Sequence, residues 1–81
     1  MADWTCVTPG RVWSLAVGPA TLYLHAQEHD SRAWLLVCHE LGMERATVTA
    51  ADLGSAMNVA IQMAWFRSRQ IARALDEVSH G

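Results

Sequence analysis

Lysine is absent from this 81-residue sequence: all six basic residues are arginine, and eight acidic residues bring the net charge to −2. A domain that grips the phosphate backbone of nucleic acid usually carries a clear basic excess, so this balance disfavours nucleic acid as the main ligand. Every uninterrupted apolar run is also much shorter than the roughly 20 residues that cross a membrane as a helix. We therefore expect one small domain that does not bind a membrane.

Cysteine is scarce, and only Cys6 and Cys38 are present. The first residues lack the basic region and the long apolar stretch of a secretory signal peptide, so we expect a cytoplasmic protein. Thiols stay reduced in that compartment, and we expect both cysteines to be free. A disulfide between them is the less favoured alternative.

No pattern typical of catalysis or metal binding occurs in the sequence. It has no GxSxG motif, phosphate-binding glycine loop or HExxH motif, and no CxxC or Cys–His pair at zinc-finger spacing. His25 and His39 can share a face of neighbouring strands, but they would supply only two metal ligands. We expect no enzyme, no cofactor and no metal site.

Short alternating segments separated by turn residues fill the first half of the chain. Pro9-Gly10 and Gly18-Pro19 are two of the turns. The predicted strands lie at residues 11–17, 21–27, 33–40 and 45–48, and residues 4–8 are a candidate edge strand. Consecutive short strands joined by tight turns form an antiparallel meander. We predict three to four strands over about residues 4–48.

The periodicity changes after residue 48. Thr49 has the character of a helix N-cap, and Asp52 can reach back to its amide as in a capping box. No proline follows, and strong helix formers dominate, so we predict one long C-terminal helix over about residues 50–78. The fold class is then α+β, with the antiparallel β-meander packed on this helix in a single domain that covers residues 1–81.

The predicted helix carries two apolar stripes. The first should pack on the sheet, and its members are Leu53, Met57, Ala60, Ile61, Ala64, Trp65, Ala72 and Leu75. Val59, Met63 and Phe66 form a second stripe, which a single flat sheet would leave in water. Either the sheet or the N-terminal segment curls over this second stripe, or it is a contact with another protein.

Acidic residues cluster in or beside the predicted turns, Glu28 and Asp30 at one end of the meander and Glu40 and Glu44 at the other. They are either ordinary solvated turn residues or a surface that meets a basic partner. The candidate partner-binding residues are therefore Glu28, Asp30, Glu40, Glu44, Val59, Met63 and Phe66.

A basic strip of Arg67, Arg69 and Arg73 lies in the second half of the predicted helix. A sheet followed by a helix with basic residues is also a feature of double-stranded-RNA-binding modules. Those modules have a basic loop before their final helix, whereas residues 48–53 contain no basic residue. Direct nucleic-acid binding is therefore the least favoured hypothesis.

Four segments carry a resemblance to a known kind of protein: residues 13–17 (WSLAV), 20–24 (ATLYL), 33–37 (AWLLV) and 49–56 (TAADLGSA). In length and in this strand–strand–strand–helix order, the chain resembles small proteins of phages and mobile elements, among them some anti-CRISPR proteins. The resemblance spans residues 13–64 and concerns organisation, without a catalytic motif. It implies a stoichiometric inhibitor that binds a CRISPR effector complex and blocks DNA recognition or nuclease recruitment.

Two functional hypotheses with a protein partner follow. The first is a non-catalytic anti-CRISPR inhibitor in the host bacterial cytoplasm, with the acidic turns or the second apolar stripe as its contact surface. The second is a homodimeric structural or regulatory module whose dimer interface is the second stripe, Val59, Met63 and Phe66. A small nucleic-acid-binding domain is the third and weakest.

Overall fold

The computed structural model describes residues 3–27 and 30–80. Its strands form one antiparallel sheet in which neighbours in space are neighbours along the chain. A single long helix follows the sheet. The elements are β1 (Thr5–Thr8), β2 (Val12–Val17), β3 (Ala20–Gln27), β4 (Asp30–Cys38), a 3₁₀-helix (His39–Leu41), β5 (Met43–Thr49) and α1 (Leu53–His80).

The predicted fold class, an antiparallel β-meander with one long C-terminal helix, is confirmed. The predicted number of strands is wrong, because the sheet has five strands and not three to four. The candidate edge segment is a true strand: Thr5 pairs with Ser14 and Cys6 with Trp13. Every residue of β1 is exposed, so backbone pairing holds it and its side chains give little sequence signal.

Two glycines close the first two turns. Arg11 N donates to Thr8 O at 2.9 Å across Pro9 and Gly10, and Gly10 has a φ of 72°. Proline followed by a residue with positive φ is the signature of a type II turn. Gly18 has a φ of 59° at the first position of the two-residue β2–β3 turn. A positive φ at that position fits the type II′ turn, whose twist matches that of a hairpin.

Alternation along the strands places the large apolar side chains on the face that the helix covers. Leu24 lies opposite both Trp13 and Leu36, and Trp34 lies opposite Val48. The opposite face carries Val12, His25, Leu35 and Thr47 in one row across four strands, and no described element packs on it. The core is Leu15, Leu22, Leu24, Trp34, Leu36, Cys38 and Val48 from strands β2 to β5, with Ala56, Ala60 and Ala64 from the helix.

Alanines make the contact between helix and sheet. Ala56, Ala60 and Ala64 recur every four residues and are buried. Their small side chains let the helix backbone come close to the leucines of the sheet, because residues four apart lie on one face of a helix. The helix lies mainly on β3, β4, β5 and the 3₁₀-helix.

The helix is longer than the sheet that supports it. Its 28 residues span about 42 Å, close to the longest dimension of the molecule, 46 Å. Of the described side chains from residue 65 onward, only that of Ile71 is not exposed. The prediction that Trp65, Ala72 and Leu75 pack on the sheet is therefore wrong. The structure describes no helix with the length and apolar character needed to cross a membrane.

The helix begins later than predicted, at Leu53, and its N-cap is Asp52. Asp52 Oδ1 accepts a hydrogen bond from Ser55 N at 2.8 Å, and this bond holds the pKa of Asp52 below its usual value. The predicted cap, Thr49, is the last residue of β5 and pairs with Ala33. Sheet pairing therefore outweighs the capping-box pattern at Thr49.

The close approach at Ala60 gives the first testable prediction. Ala60→Leu should lower the free energy of unfolding by about 1–3 kcal/mol, because the added atoms have no space between helix and sheet. Ala72→Leu is the matched control, since Ala72 is exposed on the same helix, and it should change stability by less than about 0.5 kcal/mol. Urea unfolding measures both. Equal stability of the two variants would contradict the packing described.

Candidate protein-binding surface

Two large aromatic side chains stand exposed on the projecting half of the helix. Trp65 is 55 % exposed and Phe66 is 65 % exposed. Their ring centroids are 5.9 Å apart with an interplanar angle of 77°, which is an edge-to-face contact. Aromatic pairs favour this arrangement, so the two rings hold each other in place without being covered.

Arg69 extends the aromatic pair. It follows Trp65 by one helical turn, and its guanidinium carbon lies 4.9 Å from the centroid of the Trp65 ring. This is a cation–π contact. Trp65, Phe66, Arg69, Gln70 and Arg73 together line a shallow groove of about 300 Å³, here named the outer aromatic surface. Its members Phe66, Arg69 and Arg73 lie on the side of α1 away from the buried alanines.

A second groove adjoins this surface at Trp65. It lies between the β2–β3 turn, the 3₁₀-helix and α1, has a volume of about 350 Å³, and most of its side chains are apolar. Its lining is Val17, Pro19, Ala20, Leu22, Leu41, Ile61, Ala64, Trp65 and Ser68. Because Trp65 borders both grooves, the apolar groove and the outer aromatic surface form one continuous contact area.

Charge divides the molecule into two regions. Between Asp52 and Asp76 the helix carries three arginines and no acidic residue, whereas residues 1–52 carry six acidic residues against three arginines. The sheet region is therefore acidic and the middle of the helix basic. A partner that contacts both regions must carry the opposite pattern.

Arg67 differs from the other two helix arginines. Its Nε donates to Leu41 O at 3.0 Å, so it ties the helix to the 3₁₀-helix. The predicted basic strip of three residues is therefore divided. Arg69 and Arg73 lie on the outer aromatic surface, and Arg67 lies on the sheet side of the helix.

Only Phe66 of the predicted apolar stripe belongs to the outer aromatic surface. Val59 and Met63 are half-buried and pack against the core. They lie on one flank of the buried alanine row, so the sheet partly covers them. The structure thus separates Phe66 from the two residues that the sequence grouped with it, and their role in partner binding stays a prediction.

The predicted acidic residues that the structure describes, Asp30, Glu40 and Glu44, do not form one cluster. Glu28 lies outside the described residues. Asp30 begins β4 and its Oδ1 accepts from Arg32 N at 2.9 Å, while Glu40 follows the other end of the same strand. Glu44 is exposed on β5. This matches the expectation of two separate acidic ends.

Glu40 has a structural contact of its own. Its Oε1 accepts a hydrogen bond from Thr21 N at 2.8 Å, which joins the 3₁₀-helix to the start of β3 and lowers the pKa of Glu40. Cys38 Sγ lies 3.7 Å from the same oxygen. Burial raises the pKa of Cys38, so its thiol stays neutral and weakly nucleophilic. Cys6 is free and exposed.

The sequence did not predict that Trp65, Arg69, Gln70 and Arg73 form one surface. Trp65 was assigned to the core face because its spacing fits that periodicity. One signal was available: an arginine follows Trp65 at the four-residue spacing that allows stacking.

Comparison with known proteins adds no relative, since no family model, curated protein or solved structure matches the chain.

The Glu40–Thr21 hydrogen bond predicts a pH dependence of stability. Glu40→Gln keeps an oxygen for the Thr21 amide but removes the charge. Because the pKa of Glu40 is lowered from 4.5, the stability gained from its carboxylate is fully present above pH 4.5 and is lost as pH falls through the lowered pKa. Wild type should therefore exceed the variant in stability at neutral pH, and the difference should shrink in acid. Urea titrations at several pH values measure this, and a pH-independent difference would refute it.

Proposed function

We propose that this chain is a non-catalytic protein-binding domain whose outer aromatic surface is the main contact with its partner. The observation that carries the proposal is the exposure of Trp65 and Phe66 beside the stacked Arg69. Tryptophan and arginine dominate the energetic hot spots of protein interfaces. Contiguous exposed apolar patches rimmed by polar residues are a feature of protein interaction sites.

The adjoining apolar groove supports a protein partner. A groove of about 350 Å³ beside an exposed tryptophan can accept one or two apolar side chains of a partner. Hot spots on one protein tend to pair with pockets or hot spots on the other. The apolar groove itself would offer little to a bare phosphate backbone, because none of its lining residues is basic.

Within this class we propose an inhibitor of the anti-CRISPR kind, acting in the bacterial cytoplasm on a CRISPR effector complex. The support is the small size, the strand-then-helix organisation and the division of charge. The acidic sheet region, including Asp30, Glu40 and Glu44, suits the basic channel in which such a complex holds DNA. The outer aromatic surface would anchor the domain while the acidic region blocks DNA recognition or nuclease recruitment.

A binding assay against purified CRISPR effector complexes tests the proposal. Trp65→Ala and Phe66→Ala should each weaken the complex by about 30-fold or more, because each removes a central aromatic contact. Asn58→Ala and Gln62→Ala are matched controls, since both residues are exposed on the outer side of the same helix. These should bind almost as wild type does.

The outcomes of this assay distinguish a wrong partner from a wrong binding site. If the protein binds no effector complex, the anti-CRISPR assignment is wrong. If it binds one and the aromatic variants bind equally well, the outer aromatic surface is the wrong site. Salt-dependent binding of single-stranded oligonucleotides that is lost in Arg69→Ala would instead favour a nucleic-acid-binding domain, because arginine and aromatic rings also stack on bases.

A further inference from the structure

The sheet-facing stripe of the helix continues beyond the sheet. Residues 53, 57, 60, 64, 67, 71, 74 and 78 recur at alternating intervals of four and three. The first four positions are Leu53, Met57, Ala60 and Ala64, which pack in the core or against it. The continuation past Arg67 is Ile71, Ala74 and Val78, with Leu75 beside them. We name these last four residues the inner stripe.

Most of the inner stripe is uncovered in the monomer. Leu75 is 65 % exposed and Val78 is 78 % exposed, and among the described residues no element lies beneath them. An average spacing of 3.5 residues is the repeat of a coiled-coil seam, in which apolar residues meet the seam of another helix. The spacing therefore indicates that a helix is the missing cover.

The position of the sheet limits the direction in which the covering helix can run relative to α1. It occupies the same face of α1 up to about residue 67, where Arg67 donates to Leu41 O. A second copy aligned in parallel would have to place its own sheet in the space taken by the first sheet. It would also set Arg67 against Arg67 at the seam, which is unfavourable. Only an antiparallel arrangement, with the sheets at opposite ends, avoids both conflicts.

We propose that two copies of this chain pair through their inner stripes as an antiparallel helix pair. The available length matches, because about 13 residues beyond Arg67 give some 20 Å of helix in each copy. In this register Ile71 of one copy lies opposite Ala74 of the other, twice about the two-fold axis. A large residue thus faces a small one in both of these pairs, and Val78 of each copy lies opposite Arg67 of the other, whose aliphatic part it can contact.

Charge favours the same arrangement. The helix carries arginines at 67, 69 and 73 and acidic residues at 76 and 77. Antiparallel pairing brings the acidic end of one helix near Arg67 and Gln70 of the other, whereas a parallel pair would place the arginine-rich middles of the two helices at the same height. The outer aromatic surface lies on the opposite side of α1, so the dimer would present two copies of it.

Sedimentation velocity over a range of protein concentrations tests the pairing. The interface is smaller than a standard protein–protein interface, so we expect a monomer–dimer equilibrium and not an obligate dimer. Leu75→Asp and Val78→Arg should each raise the dimer dissociation constant by about 30-fold or more, because the first places a charge in the apolar seam and the second sets an arginine against Arg67 of the other copy. Ala72 is exposed on the flank of the same helix, so Ala72→Asp is the control and should change the dissociation constant little. Both interface residues are exposed, so circular dichroism should show that every variant stays folded.

Disulfide cross-linking tests the direction of the pair. In a Cys6→Ser background, Ile71→Cys and Ala74→Cys are made as separate proteins and mixed under mild oxidation. An antiparallel pair predicts that the mixture forms a disulfide-linked heterodimer faster than either protein alone links to itself. A protein that stays monomeric at all soluble concentrations overturns the proposal. So does a dimer that Trp65→Asp dissociates and Leu75→Asp does not.

Discussion

The mismatch in length between one helix and the sheet beneath it determines most features of this molecule. Three alanines bring the first half of α1 close to the sheet, and their burial completes the core. The second half extends past Arg67, whose hydrogen bond to the Leu41 carbonyl ties the helix to the 3₁₀-helix. Apolar side chains that a longer sheet would cover are therefore left at the surface.

This mismatch produces two surfaces with different chemistry on one helix. The outer aromatic surface combines Trp65, Phe66 and Arg69, a composition suited to a tight contact with another protein. The inner stripe is aliphatic and continues the spacing of the core face, which suits a contact with a like helix. Because the surfaces face different sides of α1, the proposed self-association and the proposed partner binding use mostly different residues.

The architecture was largely predictable from the sequence, since it rests on local patterns. Alternation in residues 11–17, 21–27 and 33–40 and the turn glycines identify the meander, and helix formers without proline identify α1. The strand Thr5–Thr8 gave a weaker signal because none of its side chains is buried. The start of the helix was misplaced because Thr49 belongs to a sheet ladder, a non-local constraint that no capping pattern reveals.

The site was less predictable, because exposure depends on where the sheet ends. Leu75 lies beside the continuation of the stripe that contains Ala60 and Ala64, and it is exposed because the sheet ends before it. Trp65 follows the buried Ala64 directly, but it points away from the alanine row and borders the outer side of the helix. Val59 and Met63 show the reverse case: they fall outside the core stripe, yet the sheet partly covers them. Helical periodicity identifies faces, but it does not tell how far along a helix a face is covered.

Residue-by-residue amide hydrogen exchange of the dilute, monomeric protein tests this account most directly. If the sheet supports only the first half of α1, amides of residues 56–66 should exchange by near-global unfolding. Those of residues 70–78 should exchange much faster, through local fraying of the unsupported half. Uniformly slow exchange along the whole helix at monomer concentrations would show that the second half is covered, and it would contradict the account.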